Sequence, residues 1–156
     1  MTTAVVETWI EAPLRQFVED AHVLLALLLT PSGQVLAQHG FSRAVDVMSA
    51  CSLAAAIHAS GGELGRQLQG RPFGGLHHSG TDRQLYLDAA ETRRGLLLCL
   101  TVFDEATSFG LVQLYFDELR AHLAAAAPAS ETLPPAVLAE TFEQDLDRNL
   151  AVLFRR

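Results

Sequence analysis

Apolar positions recur along this chain in two rhythms, one helical and one extended. Val6, Ile10, Leu14, Phe17 and Val18 return every three or four residues, which predicts a helix from Val5 to His22 that Pro13 either kinks or restarts. Val23 to Leu29 is apolar at every position, as in a strand covered on both faces. Thr30-Pro31-Ser32-Gly33 has the residues of a tight turn, with Pro second and Gly fourth. Gln34 to His39 is the return strand, with Val35 and Ala37 facing opposite to Leu36, and Gly40 ends the hairpin.

A second helical rhythm follows Ser42, read as an N-cap, through Val47, Ala50, Ala54, Ile57, Gly61, Leu64 and Leu68, and stops at Gly70 and Pro72. Each residue of the Gly61-Gly62 pair costs about 1 kcal/mol of helix stability against Ala. The stripe continues across the pair, so one helix is favoured over a break. Three strands come next. Phe73 to Ser79 is short and Gly-containing, which suits a sheet edge. Gln84 to Ala89 places Leu85 and Leu87 on one face. Gly95 to Phe103 is the most apolar run and is expected at the sheet centre, with a bend from Glu91 to Arg94 before it. Thr107 or Ser108 then caps a helix striped by Val112, Tyr115, Leu119 and Leu123. Composition shifts at Ala124 toward Ala, Ser and Pro. The chain therefore divides into a domain over 1–123, a linker over 124–134 and an amphipathic helix over 135–156, striped by Leu138, Phe142, Leu146, Leu150 and Phe154.

Composition narrows the chemistry. A chain of 156 residues suits one domain with its own core. A net charge of -7 disfavours nucleic acid and anionic membrane as partners. All 11 basic residues are Arg. The absence of Lys excludes a phosphate-binding P-loop, Schiff-base chemistry and a kinase site. Cys51 and Cys99 sit among apolar neighbours and read as free buried thiols, which fits a reducing compartment. The first residues carry neither a basic stretch nor a long apolar run, so no signal peptide is expected and the protein is placed in the cytoplasm.

No HExxH, CxxC, GxSxG or GxGxxG occurs. His77-His78 would point to opposite strand faces and cannot easily share one metal ion. Asp104-Glu105 precedes a helix, where acidic groups are favoured by the helix N-terminus, and Arg93-Arg94 falls in a bend. No catalytic, cofactor or metal site is expected. The long helix is more informative. Ser52, Ala55, Ala59 and Gly62 form a face of small residues, while the Ile57, Leu64 and Leu68 stripe is assigned to packing on the sheet. The Gly-containing edge strand offers unpaired backbone groups to a second copy.

With these elements in order, the chain resembles the roadblock light-chain family, and within it the bacterial MglB group. The match spans residues 3 to 123. Its most specific stretch is Val102-Phe103-Asp104-Glu105-Ala106-Thr107-Ser108-Phe109-Gly110-Leu111-Val112, joined by Pro31-Ser32-Gly33-Gln34-Val35 and the helix from Ser49 to Leu68. The resemblance implies an α/β (α+β) roadblock/profilin-like fold, a five-stranded antiparallel sheet between helices in the order 2-1-5-4-3, and a tethered C-terminal helix. It implies a homodimer through the long helix and the edge strand, involving Ile57, Leu64, Phe73, Leu76 and His77. It further implies that this dimer binds a small Ras-like GTPase of the MglA type and stimulates its GTP hydrolysis, in cell polarity and motility, without an arginine finger or active site of its own. The GTPase contact surface carried over comprises Ser52, Ala55, Ala59, Gly62, Glu63 and Arg66, where Glu63 replaces a small residue. Phe142, Leu146, Leu150 and Phe154 would form a second partner contact. The competing readings are a scaffold that tethers a GTPase or motor component without changing turnover, and a small-molecule sensor.

Overall fold

The computed structural model describes residues 4–5, 7–40 and 45–129, together with Arg148 and Ala151. In chain order the elements are β1 (Ala4–Val5), α1 (Thr8–Ala21), β2 (Leu25–Leu29), β3 (Val35–Gly40), α2 (Val47–Gln69), β4 (Leu76–Ser79), β5 (Gln84–Thr92), β6 (Gly95–Phe103) and α3 (Phe109–Ala126). The sheet is antiparallel throughout, in the order β1-β3-β2-β6-β5-β4. Strands β2 to β6 are the five expected ones, and they stand in the expected 2-1-5-4-3 order.

The first helix begins later than its apolar rhythm predicts. Val5 belongs to β1 and pairs with Ala37, while Ala4 pairs with Gln38. The outer edge of β3 has backbone N–H and C=O groups to satisfy, and pairing with them replaces the first helical turn. Pro13 lies inside α1 without ending it.

The sheet separates two cores. On one side, α1 and α3 cover Ala26, Leu28, Ala37, Tyr86, Cys99 and Phe103. On the other, α2 covers Leu25, Leu27, Leu29, Leu87, Leu98 and Leu100. The alternation of Leu27 against Leu28 and of Leu98 against Cys99 is the two-residue period of a strand buried on both faces. In β3 that period is broken. Leu28 pairs with Ala37 but Leu29 pairs with Val35, so Leu36 is an extra, bulged residue. Val35 therefore packs on the α2 side while Ala37 packs on the α1/α3 side. The expectation that they share a face is corrected by this bulge. At the other end of the hairpin, Gly40 has φ +110, and a Cβ there would meet the Leu24 carbonyl oxygen at 2.2 Å. Only Gly fits that crossing.

Asp46, not Ser42, caps α2. Its carboxylate accepts from the Ser49 backbone N–H at 3.2 Å and from Ser49 Oγ at 2.8 Å, whereas Ser42 lies outside the described residues. The helix runs unbroken through Gly61-Gly62 and ends at Gly70, φ 77. Ser108 caps α3 by accepting from the Leu111 N–H at 3.3 Å. The buried stripe of α3 is Val112, Phe116, Leu119 and Leu123; Phe116 takes the place expected for Tyr115, because its ring meets Phe17 and Tyr86 edge-to-face at 6.1 and 5.4 Å. The helix continues to Ala126, past the start of the stretch read as linker. The C-terminal helix expected over 135–156 lies outside the described residues except for Arg148 and Ala151, both helical.

Arg120 joins α3 to the sheet. It donates to Asp88 Oδ2 at 2.8 Å, to the Ala89 carbonyl at 3.1 Å and to Asp117 Oδ1 at 2.9 Å, and it lies 4.8 Å over the Phe116 ring. Tyr86 Oη donates to the same Asp88 oxygen at 2.7 Å. No helix among the described residues is long and apolar enough to cross a membrane.

Candidate functional site

The α2 side of the sheet is the more open one, because among the described residues a single helix covers it. This helix seats itself with small side chains: Cys51, Ala54, Ala55 and Gly65 are its buried residues. Small residues let a helix approach closely, and here Cys51, Ala54 and Ala55 bring it against its own sheet while Gly65 admits the 71–73 segment. Ala55, assigned by resemblance to the partner surface, is only 8% exposed and belongs to this seat. Ser52, Ala59, Glu63 and Arg66 are exposed and Gly62 is half-buried, so these five remain on or near the surface.

The apolar stripe behaves differently along its length. Val47, Ala50 and Ala54 pack on the core as expected. Ile57, Leu64 and Leu68 do not; they are 42%, 51% and 70% exposed. The role assigned to them as sheet contacts is corrected. Beyond Ala54 the helix leans on its own return segment: a Cβ on Gly65 would lie 2.4 Å from the Phe73 backbone nitrogen. Ile57 and Leu64 line a groove of about 410 Å³ together with Phe73, Leu76, Leu87, Gly61 and Gly62.

The strand that flanks this groove starts at Leu76 and not at Phe73, since the segment before it is held against the last turn of α2. Phe73 is therefore a groove residue, 44% exposed. Leu76 pairs with Leu87 on the same side. His77 points to the opposite side, stacks on Phe109 with ring centroids 3.9 Å apart and shares a hydrogen bond of 2.7 Å with Gln84 Oε1. Of the five residues assigned to the dimer, four gather at the groove and His77 does not. Among the described residues, the outer edge of β4 has no partner strand.

Glu63 is fixed beside this surface by Arg66 at 3.0 Å and Gln67 at 3.2 Å, and these bonds hold its carboxyl below the ordinary glutamate range, the Gln67 contribution being the larger. The other candidate chemistries resolve into structure. His77 and His78 face opposite ways, and no cluster of three or more His, Cys, Asp or Glu able to hold a metal occurs among the described residues. Asp104 Oδ1 accepts from the Ala106 N–H at 2.9 Å, stabilising the turn into α3. Arg93 and Arg94 are exposed in the β5–β6 turn. Cys51 and Cys99 are both free and buried; burial pushes the Cys99 thiol up to about 12 and raises Cys51 as well, so neither is a ready nucleophile. Periodicity missed Met48 and Leu53, which are 76% and 64% exposed, because apolar residues occupy almost every arc of α2.

No protein-family model matches the sequence, and no curated protein matches it. Its fold is a roadblock fold. It is similar to a roadblock/LC7 domain from Streptomyces avermitilis, with a TM-score of 0.59 at 16% identity over 69% of this chain and 88% of that one. Within that class the arrangement is MglB-like. Myxococcus xanthus MglB matches with a TM-score of 0.70 at 26% identity, over 77% of this chain and 95% of that one. The gliding protein MglB of Thermus thermophilus matches with a TM-score of 0.68 at 25% identity, over 79% of this chain and 94% of that one.

Proposed function

We propose that this chain acts as a homodimer that binds a Ras-like GTPase of the MglA type and stimulates its GTP hydrolysis in the cytoplasm, in cell polarity and motility. The observation that carries the reading is an MglB-like roadblock fold whose α2 side leaves Ile57, Leu64, Leu68 and Phe73 exposed. Such a patch on a small domain marks an association surface. The dimer contact is assigned to Ile57, Leu64, Phe73 and Leu76 with the free edge of β4, which a two-fold axis would pair with its own copy. The GTPase contact is assigned to Ser52, Ala59, Glu63 and Arg66, exposed on the same helix, together with the half-buried Gly62 at the groove. Phe142, Leu146, Leu150 and Phe154 are assigned a second contact on the sequence pattern alone. The chain supplies no catalytic group; it orders the partner's own site, and the phosphate-binding lysine resides in that partner.

Single-turnover GTP hydrolysis by an MglA-type GTPase, with and without this protein, tests the reading. Acceleration is expected. Binding without acceleration would refute GTPase activation and leave a tether. Ala59→Arg places a long cation on the exposed contact arc and is expected to abolish binding while leaving the fold intact. Undiminished binding by Ala59→Arg would remove that arc from the contact surface.

A further inference from the structure

A second hollow, of about 330 Å³, lies at the end of the sheet where the β2–β3 and β5–β6 turns meet the start of α1. Trp9, Leu36 and Leu97 give it apolar walls, and the exposed Arg94 lines it as well. These walls have structural causes. The bulge in β3 turns Leu36 to the same side as Ala37, where it packs, as Trp9 does, against the α1/α3 core. Trp9 Nε1 donates to the Glu7 carboxylate, so the one polar atom of the indole is satisfied and its ring serves as an apolar surface. Both Trp9 and Leu36 are only half-buried. Among the described residues the Arg94 guanidinium makes no ion pair.

Helix α3 leads the C-terminal part of the chain to this same end of the domain. Phe109, in its first turn, meets Tyr86, which pairs with Thr101 of β6. Arg120, about three turns on, bonds the carbonyl of Ala89, which pairs with Leu98. The helix therefore runs back along β6 toward Gly95, and Leu123 joins Leu97 in one core. Ala127 is only 4% exposed, so the chain still lies against the domain where the helix stops. From Ala129 to Leu138 the chain can reach about 30 Å when extended. Beyond it, Phe142 and Leu146 stand four residues apart, on one face at helical spacing, and Arg148 and Ala151 are helical. Glu140, Glu143, Asp145 and Asp147 flank that pair with no basic residue among them.

We infer that the Trp9 hollow is the seat of this chain's own 135–156 segment: Phe142 and Leu146 enter it against Trp9, Leu36 and Leu97, and the acidic residues beside them face Arg94. Two observations select this occupant. The chain leaves α3 at the end of the domain that carries the hollow, and a short tether gives the segment a high effective concentration there. The acidic flank also complements the Arg94 charge. This docking goes beyond the GTPase reading and does not depend on it. Where that reading holds, the stripe assigned to a second partner contact is already occupied in the free protein, and the GTPase must displace it.

Trp9 is the one tryptophan of the chain, so its fluorescence reads the hollow directly. The test is emission and acrylamide quenching on the full chain without any GTPase, with far-UV circular dichroism as the check on folding. Wild type is expected to emit at short wavelength and to resist quenching. Phe142→Asp is expected to red-shift the emission and raise the quenching constant at least twofold, since losing one buried apolar side chain weakens such docking about tenfold or more. Leu146→Asp is expected to do the same, and it decides the matter should Phe142→Asp not fold. Arg94→Glu is expected to release the segment too, by setting like charges against its acidic flank. Leu114→Asp, at an exposed apolar position of α3 outside the hollow, is expected to change nothing. Emission unmoved in the folded C-terminal variants would overturn the docking, whether or not those variants bind a GTPase. A wild-type signal that is lost on dilution would assign the hollow to a second copy and overturn docking within the chain. Release of Trp9 in the variants, with no GTPase binding by wild type, would support the docking and overturn the GTPase reading alone.

Discussion

Replacing Arg120 with Met removes a polar tie between α3 and the sheet that is held at several points. Its contacts are unequal. The bond to Asp117 reaches a carboxylate that is 71% exposed, and such a pair contributes about 0–1 kcal/mol. The bond to Asp88 reaches a carboxylate that is only 16% exposed and already accepts from Tyr86. Hydrogen bonds to charged groups contribute about 1.5–3 kcal/mol, and the 39% exposure of Arg120 places this one at the low end. The bond to the Ala89 carbonyl and the contact over Phe116 add less. A loss of about 2–3 kcal/mol is expected, which corresponds to a fall of roughly 4–12 °C in Tm for a domain of this size. The assay is urea unfolding at one fixed protein concentration, since dimerisation would otherwise shift the midpoint. A double-mutant cycle with Asp88→Ala isolates the pair. A coupling energy near zero would refute the assignment. So would a loss of GTPase binding in Arg120→Met at concentrations where it remains folded, because α2 lies on the other side of the sheet.

Two further measurements follow from the caps and the buried histidine. Ser108→Ala is expected to cost about 1 kcal/mol by leaving the Leu111 N–H without its partner, and the urea midpoint reads it. His39 is buried, and desolvation lowers its pKa below the ordinary histidine value of 6.5, more than Glu19 raises it. The unfolded chain therefore binds more protons between that lowered value and 6.5, so stability rises with pH through this window and levels off above it. His39→Gln is expected to flatten this rise on the acid side of 6.5; an unchanged slope would show that His39 does not carry it.

Most of the fold was legible in the chain. The apolarity of Val23–Leu29 announced a strand covered on both faces and that of Gly95–Phe103 a central strand, and β2 and β6 are central neighbours. The turn chemistry of Thr30 to Gly33 was equally plain, with Gly33 N–H bonded to the Thr30 carbonyl at 2.9 Å. The bulge at Leu36 was not, since Val35, Leu36 and Ala37 are apolar whichever way they point. The same ambiguity hid the seating of α2. Periodicity rewards the largest side chains, but this helix sits on Cys51, Ala54, Ala55 and Gly65 and leaves Ile57, Leu64 and Leu68 outside. Of the small face only Ala55 turns inward, while Ile57, Leu64 and Leu68 of the apolar stripe stay exposed.

The division of the sheet into two cores has a consequence for how this protein can change over time. The side closed by α1 and α3 carries the aromatic packing of Phe17, Phe103 and Phe116 together with the Arg120 tie, so substitutions there bear directly on whether the chain folds. Among the described residues α2 is held by Cys51, Ala54, Ala55 and Gly65 with Val47 and Ala50 packed beside them, and most of its other positions are exposed. Distant, unshared positions act independently on stability. On the proposed contact surface substitutions can therefore accumulate while the other side of the sheet stays constant, and a lineage could exchange partners without rebuilding its core.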